Sequence, residues 1–140
     1  MNRFPKPLEL LDLWEKYKLL SDFFYDSHIA GMIHVPKGFP TDLTSFHVLG
    51  LAARGRVDGP AVVHDYLYAV GACSRSQADF IFKEAMLAAG VPTWRAWLYF
   101  VAVRLGARSA WSKHRHGLSE GSRFIRLQTK QNSTSVLNHP

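Results

Sequence analysis

Hydrophobic and polar positions change their period along the chain. Residues 1–13 hold no steady period and predict an irregular or short helical lead-in. The run LLDLWEKYKLL (residues 10–20) fits a helix, yet Trp14, Tyr17 and Leu19 fit a strand as well. From Tyr17 to Tyr25 and from Ile29 to Val35, aromatic and β-branched residues dominate. The intervening DSHIAG supplies turn chemistry, which predicts a small antiparallel sheet. Pro36-Lys37-Gly38-Phe39-Pro40 breaks regular structure, and the loop is expected to continue through Ser45. A helix is predicted near 46–54, ending at Gly55. Asp58-Gly59-Pro60 stops and restarts the chain, predicting a helix over 60–70 that ends at Gly71. The next helix starts at 74–76 and runs to Ala89, where Gly90 closes it and Pro92 prevents its continuation. A longer helix over 93–112 carries Trp94, Trp97, Leu98, Val101 and Leu105 as one stripe, expected to be core or interface.

The expected fold class is α+β: a small N-terminal antiparallel sheet followed by a bundle of three to four helices. Residues 1–113 form the expected domain, and residues 114–140 a basic, loosely structured tail.

Composition narrows the function classes. At 140 residues, with 47% hydrophobic and 13% aromatic residues, the chain can bury a core and is not wholly disordered. No apolar run reaches the roughly 18–20 residues of a membrane span, and no signal peptide is read at the N-terminus. Cys73 is the sole cysteine, so an internal disulfide and a multi-cysteine metal knot are excluded. Folding in a reducing cytoplasm is the expectation.

The net charge of +6 raises nucleic acid or an anionic surface as partners. Its distribution changes the picture. From Arg95 to Lys130 there are eight Lys or Arg against one acid, Glu120. The excess belongs to the last helix and the tail, where a solvated face accounts for it. No aromatic-basic recognition motif accompanies it, so nucleic acid is not the expected partner.

The chemistry concentrates in Ala61-Val62-Val63-His64-Asp65-Tyr66-Leu67-Tyr68. At 100° per residue, Val63, Leu67 and Val70 share one face, and Ala61, His64, Asp65 and Tyr68 share the opposite one. A histidine can act as a general base near neutral pH, and the adjacent carboxylate can hold a cation. Asp79 borders the apolar stripe of the following helix, Ala78, Phe82, Ala85, Met86 and Ala89. If the two helices pack antiparallel, Asp79 reaches the His64 ring and orients it. Alternatively, the Ser76-to-Asp79 spacing makes Asp79 a capping-box residue.

Asp42 lies in a proline-flanked loop whose oxygens suit Ca²⁺, or else forms an Asx turn. Zn²⁺ on His64, Asp65 and Asp42 is the lesser alternative, since zinc recruits more nitrogen or sulfur. Ser45 lacks a Gly-x-Ser-x-Gly context for a nucleophile. His28, His34 and His47 are isolated, and His114 and His116 stand two apart, which suits no helical metal pair.

Taken together, Val35-Pro-Lys-Gly-Phe39, Thr41-Asp42 and Ser45, His64-Asp65-Tyr66-Leu67-Tyr68, Arg75, Ala78-Asp79, Phe82, Ala102-Val103-Arg104, Gly106 and Trp111 resemble domain of unknown function 1353, a family of tailed phages and prophages. The resemblance covers about residues 14–112, with Phe46-His47 departing from the family's proline after Ser45. A more distant resemblance is to the small phospholipase A2 enzymes, through His64-Asp65-x-x-Tyr68, Asp79-x-x-Phe82 and Thr41-Asp42. That resemblance implies His64 as the base activating water and Asp79 as its orienting partner. It implies Ca²⁺ on Asp42, Asp65 and the carbonyl of Leu43. The disulfides of those enzymes are absent, and the fifteen-residue His64-to-Asp79 spacing is short for them.

Two functions follow as expectations. One is a phage-encoded, metal-dependent hydrolase acting on a phospholipid or cell-envelope substrate. The other is a non-enzymatic phage tail, neck or assembly protein, in which the same residues form a structural polar network among phage proteins. Either would be made in the host cytoplasm, and the second would enter the virion.

Overall fold

The computed structural model describes residues 2–13, 17–41, 43, 56–71 and 73–115, with the side chains of the last helix described as far as Leu105. Strands β1 (Leu10–Asp12), β2 (Tyr17–Leu19) and β5 (Pro40–Thr41) form one sheet in the order β1-β2-β5, antiparallel throughout. Strands β3 (Phe23–Ser27) and β4 (Gly31–Val35) form a separate hairpin. Three helices follow: α1 (Asp58–Val70), α2 (Arg75–Ala88) and α3 (Thr93–Arg115). The architecture is therefore the expected α+β arrangement, strands first and helices after.

Several local expectations change. Leu10–Asp12 is a strand rather than a helical turn, because its backbone pairs with β2, Leu10 opposite Leu19. The strands make two sheets rather than one. Thr41 is not loop: Lys18 pairs with Pro40 and Tyr17 with Thr41, after a turn in which Gly38 takes φ +84°. That positive φ is open to glycine at no steric cost and lets the chain reverse toward β2. The helix predicted over 46–54 lies outside the described residues. The last helix continues to Arg115, past the expected end at 112.

The β3–β4 hairpin shows strict alternation. Phe23, Tyr25 and Ser27 of β3 are buried, as are Ile33 and Val35 of β4. These residues lie in one core cluster with Val57, Ala61, Val62 and Val63 of the α1 region. Helix α1 is buried along most of its circumference, so both of its predicted faces are interior. It ends at Gly71 in the left-handed conformation, whose N–H donates to the Leu67 carbonyl, a glycine C-cap. Helix α2 packs beside it through Ala78, Ile81, Phe82, Ala85 and Met86, and α3 adds Ala96 and Tyr99. The α3 stripe Trp94, Trp97, Leu98, Val101 and Leu105 is not core; these residues are exposed. The core side of α3 is the opposite one, where Ala96 and Tyr99 join the core cluster.

Candidate functional site

His64 enters the site from the middle of α1, where it is buried between helices with its ring against Tyr68 and Phe82. The ring centroids stand 4.3 and 4.9 Å away. Asp79 enters from the second turn of α2 and is wholly buried. Its Oδ1 lies 2.9 Å from His64 Nε2 and accepts the Tyr68 hydroxyl at 2.6 Å. Its Oδ2 faces two guanidinium groups, Arg104 Nη1 of α3 at 3.4 Å and Arg75 Nε one turn back at 3.9 Å. Arg75 also donates through Nη2 to the Arg104 carbonyl at 2.5 Å, tying the start of α2 to α3. The expected His64–Asp79 contact is thus present.

The alternative role of Asp79 as a helix cap does not hold. Ser74 is the N-cap: its hydroxyl accepts the Gln77 N–H, and the Gln77 side chain accepts the Ser74 N–H. Asp79 lies beyond the unsatisfied amides of the first turn, so it has no capping task.

The electrostatics are one-sided. Burial raises the Asp79 carboxyl, but the bonds from His64 and Tyr68, with Arg104 behind them, outweigh it and hold the group below its ordinary range. Burial dominates for His64 and lowers its pKa below the ordinary value, with the bond and charge of Asp79 acting the other way. Burial and the neighbouring Asp79 charge raise the Tyr68 hydroxyl, which stays protonated and keeps donating. At neutral pH the site is an ionised Asp79, a neutral His64 and a neutral Tyr68. A carboxylate only accepts, so His64 must donate from Nε2, and its ring lone pair is on Nδ1.

The remaining predicted ligands are less assembled. The Thr41 hydroxyl of β5 donates to Asp65 Oδ2 at 2.5 Å, joining the three-stranded sheet to α1. Leu43 is buried with φ +40°, a left-handed conformation that costs a bulky residue of order 1–3 kcal/mol. Asp42 and Ser45 lie outside the described residues. Among the described residues, no three His, Cys, Asp or Glu gather to hold a metal. Of the predicted calcium set of Asp42, Asp65 and the Leu43 carbonyl, Asp65 supplies the one described carboxylate and Leu43 the one described carbonyl. One carboxylate and one carbonyl fall short of the six to eight oxygens Ca²⁺ takes, so the described donors do not by themselves make that site.

A family described as "Protein of unknown function (DUF1353)" matches residues 17–103. The chain belongs to this family. The matched span runs from β2 into α3 and contains His64, Tyr68 and Asp79, ending one residue before Arg104. No curated protein and no solved structure matches the chain.

The sequence placed His64 and Asp79 correctly and noticed Tyr68 on the His64 face, without giving it a partner. It missed the second polar cluster. Glu84 of α2 accepts from Arg3 Nη2 at 2.6 Å, from the Ser27 hydroxyl at 2.7 Å and from the His28 N–H at 2.9 Å. Its spacing of 81 residues from Arg3 leaves no local pattern to read. The available signal was the second acid of α2, Glu84, after Asp79.

Proposed function

We propose that this DUF1353 protein is a hydrolase in which His64 is the general base and Asp79 its positioning residue. The observation that supports it most is the tautomer. A wholly buried carboxylate fixes Nε2–H and leaves the neutral ring with its lone pair on Nδ1, as activation of a water requires. Proton transfer from water to Nδ1 makes hydroxide for attack on an ester carbonyl, and the imidazolium formed is stabilised by Asp79. The proton then passes from Nδ1 to the leaving alkoxide, restoring the neutral ring. Tyr68 and the two arginines keep Asp79 ionised through this cycle. The likeness of His64-Asp65-x-x-Tyr68 and Asp79 to phospholipase A2 supports an ester of a phospholipid or other cell-envelope molecule as substrate.

Calcium on Asp42, Asp65 and the Leu43 carbonyl is the accompanying cofactor proposal, and no step above runs through it. A cation bound only by the native state raises the melting temperature.

A second function is supported by the number of bonds that converge on Asp79. In it the network is structural, locking three helices in a phage tail, neck or assembly protein.

Hydrolysis of phospholipid, simple ester and peptidoglycan, measured with Ca²⁺ and with chelator, tests the proposal on wild type, His64→Gln and Asp79→Asn, each beside its melting temperature. Glutamine retains a donor toward Asp79 but cannot take a proton. As a hydrolase, His64→Gln stays folded and loses about 10²–10⁴-fold in rate. Wild-type inactivity on every substrate, with both variants destabilised, supports the structural role instead.

A further inference from the structure

Helix α3 is apolar on two sides. Ala96, Tyr99 and Phe100 face the core. Trp94, Trp97, Leu98, Val101 and Leu105 recur at i, i+3, i+4, i+7 and i+11 on the opposite side and are 44–77% exposed. A helix covered on one side needs only one apolar stripe. Phe100, at the edge of the core side, joins the outer stripe to α2: its ring stands 5.6 Å from that of Trp97 and 5.1 Å from that of Phe80, which is 48% exposed. Contiguous exposed apolar surface of this kind marks an interaction site.

Cations are set into this surface. Lys83 Nζ lies 3.6 Å from the centre of the Trp97 ring, and the Arg95 guanidinium 5.1 Å from that of Trp94. Residues 93–115 contain five Lys or Arg and no Asp or Glu. We propose that the outer face of α3, with the adjoining edge of α2, docks in the plane of an anionic phospholipid surface.

Charge selects this occupant. A second copy applied through the same face would bring two basic rims together, which opposes association. An anionic bilayer attracts the rim, accepts tryptophans at headgroup depth and lets Lys and Arg stems lie along the apolar surface with their charges in the headgroups. No helix among the described residues is long and apolar enough to cross a membrane, so the contact lies along the surface. The proposal does not depend on the hydrolase role, because docking is read without turnover.

The test uses the full chain with vesicles of phosphatidylcholine alone and of phosphatidylcholine mixed equally with phosphatidylglycerol. Co-flotation and tryptophan emission report binding, and light scattering reports mass. The expected result is flotation with the anionic vesicles only, a blue-shifted emission, and release as salt rises. The double variant Trp97→Ser, Leu98→Gln should keep its melting temperature and bind at least about tenfold more weakly. Lys83→Gln should weaken binding while preserving the fold. No flotation with anionic vesicles overturns the proposal. So does undiminished binding by the double variant, which would place the contact elsewhere on the chain. A dimer that the double variant dissolves, without vesicle binding, assigns the face to a second copy and overturns it too.

Discussion

Asp79 is the residue on which the site turns, because one buried carboxylate holds His64, Tyr68 and two arginines. Replacing it with asparagine keeps the shape and removes the charge. Asp79→Asn should therefore destabilise the fold by about 2 kcal/mol, the scale of hydrogen bonds to a charged group, read from the urea midpoint. Tyr68→Phe deletes one donor and should cost about 1.5 kcal/mol. The pH dependence has a definite sign for each group. The native pKa of His64 lies below its ordinary 6.5, so the unfolded chain binds the proton first. Stability contributed by neutral His64 is present above 6.5 and falls as pH drops from there toward the native pKa. Asp79 is lowered from 3.8, so its contribution is present above 3.8 and is lost as pH falls through the native value. Melting temperature should begin to fall below about pH 6.5 in wild type, and His64→Gln should lack that first decline. His64 and Asp79 were legible in the sequence because helical spacing fixes which face each occupies. The Arg104 contact was not, because Arg104 reaches Asp79 across helices and no local period encodes that approach, unlike the i,i+4 spacing of Arg75.

At the scale of elements, capping and alternation decided where the sequence could be read. The β3–β4 hairpin and the ends of α1 and α2 follow from residues close in the chain: alternating aromatics, Gly71 and Ser74. Two-residue β5 and three-residue β1 could not be read, because their pairing with β2 determines them rather than their own composition. The tryptophan stripe of α3, expected to be core or interface, is not core, for a related reason. Periodicity reports that a face is apolar, not which of two apolar faces is covered. Ser74→Ala removes the capping box of α2 and should lower stability by about 1 kcal/mol. Gly59→Ala tests how closely α1 approaches the hairpin. A Cβ there would stand 3.1 Å from the Phe23 ring, which is buried and has little room to shift. Overpacking should outweigh the gain in helix propensity, giving a net loss of about 1 kcal/mol by thermal melting.

At the scale of the whole molecule, two polar clusters among the described residues tie distant parts of the chain to one apolar core. Asp79 links α1, α2 and α3, while Glu84 joins α2 to the hairpin and to Arg3 near the N-terminus. Burial opposes ionisation of Glu84, but its bonds from Arg3, Ser27 and His28 hold its pKa below the ordinary value. Glu84→Gln should cost about 1.5–3 kcal/mol in the denaturant midpoint and increase amide exchange along residues 2–9, whose anchor it weakens. The charge distribution is also a whole-molecule property. The exposed stripe of acid-free α3 lies opposite that helix's core contacts, with Lys83 over Trp97 and Arg95 over Trp94, so basic charge and exposed tryptophan occur together.

The central claim is that Asp79 holds His64 neutral with its proton on Nε2, and long-range ¹H–¹⁵N correlation of the histidine rings in solution tests it without any substrate. The expected spectrum shows His64 as the Nε2–H tautomer at pH 7, titrating below 6.5, with the tautomer preference weakened in Asp79→Asn. A His64 ring that is cationic at pH 7, or that carries its proton on Nδ1, would contradict it.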